Sequence, residues 1–452
     1  MSIIPGVQVS VVKEVVPPQL SPTGVLGLVG LTERAPEGGV GRASTWKRFI
    51  ELFGPGSAHS MPEARQALQN GASQLVVVAI PGKGVAATAV LTKAGAPALV
   101  LTARAPGTWA ETLTVKVKHR KQDNNIIALD LDLVRADGSI ESHKNLGVVA
   151  STDRGAAPFV VDALALGSSL VTAVSKSSEW PDEGELRFTG GLDAAVADYE
   201  AGLDRLKNHA DVDLVIAAVQ QRSDAAALAA VHSAVIAHCN LMSAACRGRL
   251  GFGRVPADRP AAKVGQWAVP LVSDRFVLVA PDGVLGAVAG MIGGLPYFHS
   301  PTFKPLVGLG AVPAIDIDDQ AELLSARIVP VAELAGHGLV VVRGLTTDGD
   351  QISVRRVADR AVRTARAIGE LFIGRLNNAD GRSALKAKLT EALLQMQKDG
   401  ALVPSTDGKD PAFRVDVYAS QADFGTGTVR VDIAVRPVRA IDFIVATILV
   451  QV

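Results

Sequence analysis

Cysteine is almost missing from this chain: two in 452 residues, Cys239 and Cys246. They stand seven apart in a stretch that reads as helix, which sets their Cα atoms about 10 Å apart at ~1.5 Å rise per residue. A disulfide needs roughly 4.4–6.8 Å, so both are expected as free thiols, as in a reducing cytoplasm. Aromatic residues make up 4% against 48% hydrophobic residues in all, so the core has to be built from Val, Ala, Leu and Ile. Charge of one sign is missing as well: Lys plus Arg and Asp plus Glu are both 45, a formal net charge of +0. That balance excludes a general nucleic-acid binder and resists self-association only weakly. The longest apolar stretches, 283–296 and 443–450, fall short of the ~20 residues that cross a bilayer, so no membrane insertion is expected. No basic region followed by an apolar run opens the chain, and Pro5-Gly6 interrupts it early, so no export signal is expected.

What is present is an α/β texture with one interruption. Gly24-Val25-Leu26-Gly27-Leu28-Val29-Gly30 and Leu75-Val76-Val77-Val78 read as buried parallel strands, because their apolar character is continuous. Between them lie a helix over 44–54, with Ser44 as its N-cap and Gly54 just past its end, and a helix from Met61 with Pro62 in its first turn. Over 83–188 the pattern becomes short alternating strands with a turn at Asp137-Gly138, an antiparallel domain inserted into the α/β chain. The α/β pattern resumes at Thr189-Gly190-Gly191-Leu192-Asp193, with a helix over 193–208, a strand over 213–219, a long Ala-rich helix over 223–246 and a strand over 275–280. A Gly-rich apolar segment over 283–294 and a Pro-rich loop over 296–319 follow. From Leu339 a last domain is expected: one strand, two helices, then two amphipathic strands. The expected division is an N-terminal arm 1–20, a middle domain in two parts 21–82 and 189–338, an inserted outer β domain 83–188, a C-terminal domain 339–440 and a terminal strand 441–452.

The two ends read as strands with nothing local to pair with. Residues 4–13 alternate apolar and polar side chains, and 443–449 are apolar on both faces. Unpaired strand edges are a hazard that soluble proteins blunt, so these ends are expected to pair with other copies by β-augmentation.

Sites for chemistry are sought without success. Pro81-Gly82-Lys83-Gly84 lacks the upstream glycine, the hydroxyl residue and the following helix of a phosphate loop. His232, Cys239 and Cys246 share a helix face with heptad spacing, but ligands two turns apart cannot converge on one ion at ~2.0–2.3 Å. They read as a core-facing stripe, as His337 in Gly336-His337-Gly338 reads as a loop residue with no nucleophile elbow beside it. Asp316 and Asp318 fall on one side of an extended segment or at a helix start, without the glycine and distal Glu of a calcium loop. Neither cofactor nor metal nor catalytic residue is assigned. Arg356, Arg360 and Arg363 follow i, i+4, i+7 on one helix, either a solvated face or a basic stripe for an acidic partner surface.

In order and spacing, several segments resemble the tail sheath proteins of contractile phage tails and related injection systems, bacteriocin-like particles included. They are Pro5-Gly6-Val7-Gln8-Val9, Gly27-Leu28-Val29-Gly30, the run from Ser44 through Trp46, Phe49 and Phe53 to Gly54, Asn70-Gly71 with the strand after it, Thr189-Gly190-Gly191-Leu192-Asp193 and Ile352-Ser353-Val354-Arg355-Arg356. The resemblance leaves out the insertion. Leu75 and Ala79-Ile80 replace the family's Tyr and Arg, and Ala194 follows Asp193 where the family has glycine. It implies a non-enzymatic α/β and α+β multi-domain subunit. Its C-terminal sheet would be of four-stranded type, completed by neighbours' strands, with Val7, Val9, Val11, Phe443, Val445, Thr447 and Leu449 as exchanged residues. It implies sixfold helical rings around an inner tube, contracting without nucleotide to drive the tube through a target envelope. It also implies baseplate and tail terminator partners, a tube-facing Arg356, Arg360, Arg363 stripe, and assembly in the bacterial host cytoplasm into a virion tail or injection particle. The competing readings are an α/β nucleotide-binding or hydrolytic enzyme and a different self-assembling shell or tube protein.

Overall fold

The computed structural model describes residues 23–80, 83–153, 155–221 and 223–443. Among these, 23–356 with 439–443 form one compact unit and 357–438 a second.

The first unit opens with β1 (Val25–Gly30), β2 (Val40–Ala43), α1 (Trp46–Phe53), α2 (Ser57–Ser60), α3 (Pro62–Gln69) and β3 (Gln74–Ala79). Thr45 caps α1, its side chain accepting from the Arg48 amide, one residue later than the Ser44 cap expected. Gly54 ends the helix at φ 89, where a side chain would be strained. The inserted segment contains β4 (Thr88–Lys93), β5 (Ala96–Ala103), β6 (Thr114–Gln122), β7 (Asn125–Val134), β8 (Ile140–Leu146), α4 (Val160–Gly167), β9 (Val171–Ser175) and β10 (Gly184–Arg187). These strands form two antiparallel sheets, β4-β5-β9 and β10-β6-β7-β8, around a shared core that includes Leu101, Val115, Leu131, Val160 and Phe188. The chain returns through α5 (Val196–Leu206), β11 (Leu214–Ala217), α6 (Ala225–Ala244), β12 (Leu250–Arg254), α7 (Ala261–Ala268), β13 (Phe276–Ala280), α8 (Leu285–Gly294), α9 (Ile317–Ser325), β14 (Val329–Leu334) and β15 (Gly338–Val341).

Eight strands make one sheet in the order β15-β14-β13-β12-β11-β1-β3-β2. The six inner strands run parallel; β2 and β15 lie antiparallel at the edges. Side chains alternate between two cores, as the strand period requires. Leu26, Leu28, Leu75 and Val77 face α1, α3 and α8, while Val25, Val29, Val76 and Val78 face α5, α6, α7 and α9. β15, expected to open the last domain, instead pairs with β14 as Val331↔Val341 and Ala332↔Val340. β12 and α7 were not anticipated, and the segment expected only as Gly-rich and apolar is α8. α6 is long and apolar enough to cross a membrane by length and composition, but Val231, Val235 and Cys239 bury it against the sheet.

α10 (Ile352–Glu370) begins in the first unit, and its remainder leads into the second. There follow α11 (Ala379–Lys398), β16 (Phe413–Tyr418), α12 (Gln421–Gly425) and β17 (Arg430–Val435). β16 and β17 pair antiparallel, with Phe413↔Val435, Val415↔Ile433 and Val417↔Val431 on one face. Leu385, Leu389, Leu393 and Met396 are the buried side of α11. Among the described residues this sheet has two strands, where the resemblance implies a four-stranded type.

Candidate functional site

In doubly wound sheets small ligands bind beyond the carboxyl ends of the strands, where the strand order reverses. Here that point is β1, which lies between β3 and β11. A cleft of ≈ 710 Å³ lies past the carboxyl end of its neighbour β11, with His59, Glu63, Trp109, Arg135 and Gln220 in its walls. Several of its polar groups are already engaged, though Glu63 Oε2 is buried with no hydrogen-bond partner among the described residues. The Gln220 side chain accepts from the Trp109 amide at 3.3 Å and donates to the Pro106 carbonyl at 3.2 Å. Glu63 is held by Arg254, which also donates to Asp282 at 3.0 Å. His59 stacks on Trp109 with ring centroids 5.2 Å apart. Burial pushes its pKa down to about 4, which makes it a weak base at neutral pH.

The other candidates for chemistry have structural roles. His232 Nε2 donates to the Arg254 carbonyl at 2.9 Å, and burial holds the ring's pKa at about 4. His238 lies 2.7 Å from Arg249 and is pushed down to about 3, first by burial and then by the neighbouring guanidinium. Cys239 is buried and Cys246 exposed, both as free thiols. His337 lies in the tight turn between β14 and β15. Asp316 is the N-cap of α9, accepting from the Asp319 amide at 2.7 Å. Lys83 pairs with Asp198 at 3.3 Å. Among the described residues no group of three or more His, Cys, Asp or Glu could hold a metal ion.

The arginine stripe does not stand as a single solvated face. Arg356 is 6% exposed, and both its terminal nitrogens donate to the Leu295 carbonyl, at 3.3 and 3.4 Å. Desolvation lowers its pKa, against the attraction of Asp213. Arg360 and Arg363 are half-buried. α10 carries the three arginines at i, i+4 and i+7, and the first of them turns inward.

The features suited to assembly lie elsewhere. β16 and β17 each have one edge without a strand beside it among the described residues. The hairpin is closed by Asp423, whose carboxylate takes three hydrogen bonds from Arg430 at 2.8–3.1 Å. Arg430, and the Ser420 hydroxyl after it, hold that carboxyl far below the usual range. Of the seven residues expected to be exchanged, Phe443 is described and 75% exposed. Val7, Val9, Val11, Val445, Thr447 and Leu449 lie outside the described residues.

Solved structures decide the fold. A chain of the contracted helical sheath of the anti-feeding prophage is 16% identical at a TM-score of 0.57, with 99% of each chain covered. The fold is that of a contractile sheath protein. The baseplate of the same particle contains a chain matched at 16% identity and TM-score 0.58 over 100% of both. The sheath tail protein of Listeria innocua is 16% identical at TM-score 0.54, with 93% of each chain covered. No family model and no curated protein matches this sequence.

Proposed function

We propose that this chain is the structural subunit of a contractile tail sheath. It polymerises as sixfold helical rings around an inner tube and contracts to drive that tube through a target envelope. The observation that carries the reading is the sheath fold extending over 99% of the chain, the insertion included. Two further features support it: a sheet in 357–438 that has two strands and open edges among the described residues, and terminal segments whose sequences read as strands. In this scheme Val7, Val9 and Val11 of one copy, and Phe443, Val445, Thr447 and Leu449 of another, complete that sheet. Main-chain hydrogen bonds hold such a strand without fixing the angle between the bodies it joins. An arm of about 12 extended residues reaches ~40 Å at ~3.3 Å each, enough to enter a neighbour. The inner tube, a baseplate and a tail terminator are its partners, with Arg360 and Arg363 remaining as tube-facing cations. The site is tertiary and quaternary, and no enzymatic step is part of it.

Deleting residues 1–16 tests this. The truncated subunit is expected to fold, with an unchanged circular dichroism spectrum, and to form no hollow cylinders under negative stain where the parent chain does. Native cylinders from the truncated chain would overturn the role of the arm. Compact particles from the parent under all assembly conditions would overturn the sheath reading.

A further inference from the structure

The chain leaves the 357–438 unit after Val438. Residues 439–443 belong instead to the α/β unit, fastened to the turn between β15 and α10. Gln351, 7% exposed, treats Ala440 as a strand would: its amide nitrogen donates to the Ala440 carbonyl at 3.1 Å, and its amide oxygen accepts from the Ala440 N–H at 2.9 Å. The same nitrogen lies 2.9 Å from Asp442 Oδ2, which also accepts from Arg343 Nε at 3.0 Å. Asp350 receives Arg439 through both carboxylate oxygens, at 2.7 and 3.3 Å. The Arg343 guanidinium stands 5.0 Å from the Phe443 ring centroid, within range of a cation–π contact.

The turn that makes these contacts is itself tied down. Leu345 and Gln351 bridge across it, the Thr346 hydroxyl donates to the Asp350 carbonyl at 3.0 Å, and Val341 and Ile352 on either side sit in the sheet core. The tail residues alternate. The Asp442 side chain is 7% exposed, while Ile441 and Phe443 are 80% and 75% exposed. Asp442 therefore turns its charge into the body and leaves its apolar neighbours outward. Its second oxygen is buried with no hydrogen-bond partner among the described residues, so Arg343 is the cation that makes its burial tolerable.

We infer that Arg343, Asp350 and Gln351 form a clamp that fixes the root of the C-terminal strand to the α/β unit. A strand lent to a neighbouring copy then loads the eight-stranded sheet directly, through β15 and the start of α10. The strand-lending part rests on the sheath reading above; the clamp itself rests on the contacts just given.

Two readouts on the full chain separate them. In the unassembled subunit, trypsin cleavage after Arg439 reports release of the root, because Arg436 precedes Pro437 and is a poor site. Asp442→Ala and Gln351→Ala are expected to speed that cleavage at least about tenfold, as local opening becomes easier, without changing the fluorescence melting curve of the α/β unit. Arg343→Asp combined with Asp442→Arg is expected to restore protection. Should Asp442→Ala fail to fold, Asp350→Asn touches the exposed Arg439 pair and gives the same readout. Cylinders built from clamp variants are expected to form, and to dissociate at lower guanidinium concentration than the parent's. Parent-like cleavage and parent-like cylinders in all three single variants would overturn the clamp. Deletion of 444–452 tests the lending separately: cylinders that survive it would remove strand lending and leave the cleavage result standing.

Discussion

The α/β unit and the unit 357–438 solve the same problem in opposite ways. In the first, β1, β11 and β13 are buried along their whole length, with helices on both faces of an eight-stranded sheet. In the second, β16 and β17 form a two-stranded sheet with mostly exposed positions, and the residues between α10 and α11 include Ile373 and Leu376 at 83% and 80% exposed. An isolated pair of strands is marginal in water, and a third strand or a packed helix is what makes it stable. α11 supplies part of that cover, since Leu389 and Leu393 are 2% exposed. The contrast teaches where the molecule is self-sufficient and where an added strand has most to contribute.

The largest expected effect that would break this contrast lies in the α/β unit. Arg254, at the end of β12, has a side chain 1% exposed and is paired with Glu63, 4% exposed, and with Asp282. Arg254→Ala leaves Glu63 buried without its cation, which should cost ~3–5 kcal/mol. All four tryptophans, Trp46, Trp109, Trp180 and Trp267, lie in this unit, so urea unfolding followed by tryptophan fluorescence reads it alone. A midpoint within error of the parent would mean that the buried charges are solvated in solution and the core is less closed than described.

A second, somewhat smaller effect separates the units by acid. His59, His232 and His238 are held at about 4, about 4 and about 3, in each case chiefly by burial, while 357–438 contains no histidine. Below the ordinary histidine pKa of about 6.5, the unfolded chain binds protons that the folded unit refuses. Stability is therefore full above that pH and falls as the pH is lowered toward 4. Between pH 7 and 6 the three rings together should remove about 2 kcal/mol. The fluorescence midpoint should move accordingly, while amide exchange in β16 and β17, corrected for intrinsic rate, should not. A flat midpoint over this range would place the rings in contact with water.

The parallel strands were legible because continuous Val and Leu runs have few other uses: Leu75-Val76-Val77-Val78 lies inside β3 with every residue buried. β12 was not legible because its sequence, LGFGR, carries two glycines. Both have a packing reason. A Cβ on Gly251 would stand 2.6 Å from Val235, and one on Gly253 2.5 Å from Phe276. The glycines of α8 hid a helix in the same way, since a Cβ on Gly290 would stand 2.4 Å from the Ala67 carbonyl oxygen of α3. Local propensity marks glycine as a helix breaker, and only the tertiary neighbour explains it. Arg356, Arg360 and Arg363 lie on one helix, α10, but nothing local shows that Leu295 covers Arg356. The clamp had a visible trace: Asp442 interrupts an apolar run, and a lone carboxylate in such a run implies a partner.

The smallest effect sharpens the contrast most. β16 and β17 set Asp416 directly opposite Asp432, a like-charge pair that opposes the ladder by ~0.2–1 kcal/mol. Lys386 lies 3.1 Å from Asp416, and the Tyr418 hydroxyl donates to Asp432 at 2.9 Å, so the repulsion is partly offset. Asp432→Asn removes the like charge and keeps an acceptor for Tyr418. It should slow amide exchange in β16 and β17 about twofold, corresponding to a few tenths of a kcal/mol, and leave the tryptophan-reported midpoint of the α/β unit where it was. Faster exchange would show that the carboxylate's bond from Tyr418 outweighs the repulsion. A shift in the midpoint would show that the two units do not unfold separately, and the comparison between them would lose its thermodynamic meaning.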